Sequence, residues 1–184
     1  MTERSDLANF RALGEPHVRD WAGAAEPIGA GLVEWTRRAV GHDQRVAVRA
    51  SLDACALVAA GYPEAPARLA PRAYVDHMLA AIRTWLEQPT RDHREAVRSS
   101  LDVTREYHAW QTEEDEPHFW ILEAVDHTCL AVWAGERASY IIPVDFATTA
   151  GRVIACVFHA MRSAGHGEQR AADAVIDVVL RATG

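Results

Sequence analysis

Glu123 and His127 stand four residues apart. On a helix that spacing puts a carboxylate and an imidazole on one face, one turn apart. Such a pair can hold a transition metal, but two ligands are too few. Water-based metal chemistry needs three protein ligands and an open position. His118 and Asp126 lie close by in the chain, and the metal reading takes Glu123, His127 and His118 as ligands. His108 and His159 are two further histidines that could converge on His127. Di-iron carboxylate bundles repeat Glu-x-x-His on two helices. Here the spacing is Glu-x-x-x-His with no second copy. An exposed Glu–His pair beside ordinary core histidines is the plainer account, so no metal and no cofactor are expected.

Other reactive residue types give weaker patterns. Cys129 with a histidine would make a nucleophilic pair, but it sits in the apolar run Thr128-Cys129-Leu130-Ala131-Val132 and reads as a buried thiol. Asp-His recurs at Asp76-His77, Asp92-His93 and Asp126-His127. Neighbours on a helix point about 100° apart, so none of these is a dyad. Gly29-Ala30-Gly31 lacks the third glycine of a dinucleotide loop and follows no strand.

Charge supplies a different kind of site. The chain carries a net charge of −7, and all 19 basic residues are arginine. Between Glu106 and Glu136 there are eight acids and no arginine. An uneven acidic balance disfavours nucleic acid as a partner and favours a basic protein, which it can steer and hold. The contact acids on this reading are Glu113, Glu114, Asp115, Glu116, Glu123 and Asp126. Phe119, Trp110 or Trp120 would supply an aromatic anchor, unless they are core. The plainer account of the acidic turn is a solvated loop that complements a helix N-terminus.

The elements that must position these residues are read from their ends. Pro27 to Val40 reads as a helix stopped by Gly41, and Asp43 caps the next, which ends at Gly61 and Pro63. Residues from about Arg72 to Glu87 carry a wide apolar arc, Tyr74, Val75, Met78, Leu79, Ile82 and Trp85, against a narrow face of Asp76, Ala80, Arg83 and Glu87. Thr90 caps a helix running to about Gln111. Pro117 opens one through Trp133, Asp145 caps one to about Ala164, and the last runs from about Glu168 to Ala182. Two shorter helices are expected before Pro27, after Ser5 and near Pro16. The link Ala138 to Val144 reads as strand-like or irregular. The expectation is an all-α, single-domain bundle of about eight helices over residues 1–184, with short connections that pack neighbours antiparallel.

Composition agrees. Half of the residues are apolar and a quarter charged, as in ordinary globular domains. The three cysteines Cys55, Cys129 and Cys156 form no C-x-x-C pair and read as reduced thiols of a cytoplasmic protein. The charged start of the chain predicts no signal peptide, and no apolar run is long enough for a membrane helix.

The stretch Ala81-Ile82-Arg83-Thr84-Trp85-Leu86-Glu87-Gln88-Pro89-Thr90, continuing to Arg94-Glu95-Ala96-Val97, resembles immunity proteins of bacterial toxin systems. A helix ending in Ala-x-Arg-x-Trp-Leu is followed there by a short turn and an alanine-rich helix. The resemblance spans residues 45–160 and lies in helix ends and composition rather than in a signature motif. It implies a small all-helical protein that neutralises a toxin by binding it, and a basic toxin would complement the acidic segment. The expected function is therefore a non-enzymatic helical binding protein. The alternatives are a metalloenzyme around Glu123 and His127, and a structural or regulatory homodimer.

Overall fold

A computed structural model describes residues 27–64, 66, 69–97, 116–134 and 145–184. Among these there is no strand, and the fold is all-α. In chain order the helices are α1 (Pro27–Val40), α2 (Gln44–Val58), α3 (Arg72–Glu87), α4 (described over 91–97), α5 (Glu116–Trp133), α6 (Phe146–Ser163) and α7 (Glu168–Thr183), with a 3-10 turn Ala59–Gly61 after α2. The two helices expected before Pro27, most of the helix to Gln111 and the link Ala138 to Val144 lie outside the described residues. No described helix is long and apolar enough to cross a membrane.

Local chemistry sets the helix ends. Gly41 adopts φ +59° after α1, a left-handed conformation that glycine takes without a Cβ penalty. The Asp43 carboxylate accepts from the Arg45 and Val46 N–H groups at 2.8 and 3.2 Å and so starts α2. The Thr90 hydroxyl accepts from the His93 N–H, and Asp145 accepts from Ala147 and Thr148 at the head of α6. Each of these satisfies backbone donors that a helix start leaves open.

Side chains also close the ends of neighbouring helices. The Gln44 amide donates to the carbonyls of Ala131 and Val132, at 2.8 and 2.9 Å, and so ties the start of α2 to the end of α5. Arg45 donates to the Leu86 carbonyl at the end of α3. Arg72 donates to the Ala60 and Tyr62 carbonyls, while the Tyr62 hydroxyl donates to Ala70.

Helix α6 is the hub, packing on α1, α2, α5 and α7. It is buried almost throughout, and its small residues Ala150, Gly151 and Ala155 let neighbours come close. A Cβ on Gly151 would stand 2.5 Å from the Val33 carbonyl oxygen, so α1 and α6 cross backbone on backbone. Helix α5 packs on α2, α3 and α6, and every residue from 120 to 129 is buried. Helix α3 buries Val75, Met78, Leu79, Ile82, Trp85 and Leu86, a single stripe flanked by half-buried Tyr74 and Ala81.

Candidate functional site

The structure puts the Glu–His pair in the interior. Glu123 is 0 % exposed and His127 1 %. Their Oε2 and Nε2 atoms are 3.6 Å apart, too long for a hydrogen bond. Around them α5 has no solvated face. Trp120, one turn before Glu123, stacks on His159 of α6 with ring centroids 4.9 Å apart and planes at 28°. The Phe158 ring meets His159 edge-on at 5.4 Å. His159, expected on a more polar face, is thus a core side chain, 8 % exposed.

Two of the expected contact acids require correction. Glu123 is sealed and Asp126 is also buried, so neither belongs to an exposed acidic surface. The cause is that α5 is packed on several sides rather than laid over the core with one face in water. Glu116 begins α5. Glu113, Glu114 and Asp115 lie outside the described residues, as does Trp110. Trp120 is core and Phe119 is half-buried against it.

The metal reading also requires correction. His118 and His127 are nine residues apart on one helix, which turns them about 180° from each other. His118 faces Tyr62, ring edge to ring face at 6.1 Å, and borders a surface cleft. Among the described residues no three His, Cys, Asp or Glu side chains come together as a metal site would require.

The thiols are equally closed. Cys55 accepts or donates a contact with the Thr128 hydroxyl at 3.4 Å, and burial pushes its pKa up to about 12. Burial, then the nearby Asp126 carboxylate and Cys55, hold the Cys129 thiol well above its ordinary range. Since the thiolate is the nucleophile, neither thiol is poised to react.

A feature that spacing did not announce lies at one end of the bundle. A cleft of about 340 Å³ opens between the end of α2, the start of α5, the end of α6 and the turn before α7. Leu57, Val58, Ile121 and Met161 give it apolar walls, and His118 and His166 are its polar side chains. Leu57 is 42 % exposed, the large hydrophobic residue left open to solvent among those described. His166 is held there by the turn that ends α6. Gly165, at φ +87°, lets the His166 N–H reach back to the Met161 carbonyl at 3.0 Å, the six-to-one bond of a Schellman motif. The sequence places a break here, between the helix to about Ala164 and the one from about Glu168, but the residues of the cleft come from three separated segments.

Compared with protein-family models, curated proteins and solved structures, the chain matches none.

Proposed function

We propose that this is a non-enzymatic helical binding protein, and that its specific role is to neutralise a basic toxin protein. The observation that supports this reading is the sealing of the reactive side chains. Metal-assisted and acid–base catalysis both need a position that substrate or water can reach. Glu123 and His127 have essentially no exposed surface, and Cys55 and Cys129 are closed and held as thiols. The pair is a structural element of α5. The contact surface on this reading is the acidic run Glu113, Glu114, Asp115 and Glu116, which stands at and just before the start of α5 in the sequence. Four clustered acids without a neighbouring arginine would draw a cationic partner at a rate that falls with salt.

The test is an affinity pull-down from a lysate of the source cells, run in parallel with wild type and with the triple variant Glu113→Arg, Glu114→Arg, Asp115→Arg. Wild type should retain a basic protein at low salt and release it as salt rises. The variant should lose that protein while keeping the wild-type circular dichroism spectrum. Equal retention by a folded variant would remove the acidic turn from the interface.

A further inference from the structure

We propose that the cleft at the end of the bundle is a binding site for a small aliphatic carboxylate. The alkyl chain would lie against Leu57, Ile121 and Met161, and the carboxylate would be held by His118 and His166. The proposal does not rest on the toxin reading.

Size and lining come first. A volume of about 340 Å³ falls in the range of small-ligand sites, which combine apolar walls with a few convergent polar groups. The walls here are aliphatic, and the polar side chains are two imidazoles from opposite borders, one on α5 and one on the turn before α7. An apolar ligand with a single polar head fits that division.

The sign of the head follows from the described lining. Among the described residues no carboxylate lines the cleft, so a cationic head would meet no opposite charge there. Carbonyl groups at the two helix ends are already engaged. Ala160 accepts from Ala164, Met161 from His166, and Ala59 from Tyr62. The carbonyls of Ala60 and Tyr62, on either side of the lining residue Gly61, accept from the Arg72 guanidinium at 3.1 and 2.9 Å. That guanidinium is also paired with Asp76 at 3.4 Å, so it ties up these carbonyls without adding a net charge, and the two imidazoles are the donors left to a ligand. Imidazole can donate through a ring N–H, and a carboxylate acceptor makes these bonds charge-assisted and stronger than neutral ones. The Tyr62 ring supports His118 edge-on, and the Gly165 turn supports His166, so both donors are placed before a ligand arrives.

Isothermal titration of the full-length protein with octanoate, 1-octanol and octylammonium separates the alternatives, since the three share a chain and differ in the head. Octanoate should bind one per protein and tightest of the three. Across hexanoate, octanoate and decanoate, each added methylene should tighten binding about fourfold until the cleft is full. His118→Ala and His166→Ala should each weaken octanoate about tenfold or more and leave 1-octanol unchanged. Ala164→Leu, at an exposed position on the rim, should shorten the best-binding chain without disturbing the core. Equal or tighter binding of octanol or octylammonium would overturn the assignment of the head. A flat chain-length series, or octanoate affinity unaltered in both histidine variants, would overturn the site.

Discussion

Glu34 lies between two guanidinium groups on the outer turn of α1. It accepts from Arg37 at 2.8 and 2.9 Å and from Arg38 at 2.6 Å. The Arg37 hydrogen bond, with a smaller contribution from Arg38, holds its carboxyl at a pKa of about 2. A carboxylate held below its unfolded value stabilises the fold above about pH 4.3 and loses that effect as pH falls toward the folded value. Glu34→Gln should therefore melt lower than wild type at pH 7, and the two melting curves should converge by about pH 2. Because the group is partly solvated, the difference at pH 7 should stay near or below about 1 kcal/mol. The buried Glu123–His127 pair behaves differently. Truncating Glu123 empties part of a packed core around His127, which costs about 2–5 kcal/mol. Urea unfolding of Glu123→Ala should show that loss with an unchanged m value, and replacing both residues by leucine should recover much of it. A loss below about 1 kcal/mol in the single variant would mean that α5 admits water beside the pair. The spacing of this pair was legible in the sequence and its burial was not. Charged residues are almost never fully buried unless paired, so Glu123 and Asp126 read as surface. What decides otherwise is contact from residues far away in the chain.

At the scale of elements, the helix ends were the legible part. Gly41, Asp43, Thr90, Asp145 and Gly165 each act through backbone groups one to five residues away, and a sequence contains that information locally. The bounds of α3 follow from its stripe and from Pro71 and Pro89 in the same way. The surroundings of α5 and α6 were not local. Helix α5 carries polar residues at positions that a one-sided helix would expose, yet α2, α3 and α6 enclose it. Gly151 illustrates the same limit. On propensity alone, glycine to alanine in a helix interior gains up to about 1 kcal/mol. Here the new methyl would meet the Val33 backbone, with the carbonyl oxygen at 2.5 Å and the Cα at 2.8 Å, and backbone cannot swing aside as a side chain can. Gly151→Ala should destabilise by about 1–3 kcal/mol, the usual cost of overpacking. Chemical denaturation measures it, and a stabilised variant would show that α1 shifts freely on α6.

At the scale of the molecule, three helices share one core, and each brings a thiol to it. Cys55 comes from α2, Cys129 from α5 and Cys156 from α6, and all three are buried. Helix α6 packs on both α2 and α5, and α2 packs on α5, so no one of these helices can leave without opening the others. Labelling with a thiol reagent such as DTNB should therefore find no fast-reacting group in the native protein at pH 8. All three should appear with a common rate, that of global opening, and at once in denaturant. The same burial fixes a pH dependence. Cys55 ionises in the folded protein only near pH 12, whereas the unfolded thiol ionises near pH 8.5. Protons then leave the unfolded state first, so stability is full below about pH 8.5 and falls as pH rises above it. Cys129, shifted in the same direction, adds to the slope. Replacing both by alanine should flatten the alkaline decline of the melting temperature, even though each truncation lowers the melting temperature at neutral pH. One thiol labelling well ahead of the others would instead identify its helix as a separately opening unit, and the hub description of α6 would have to be given up.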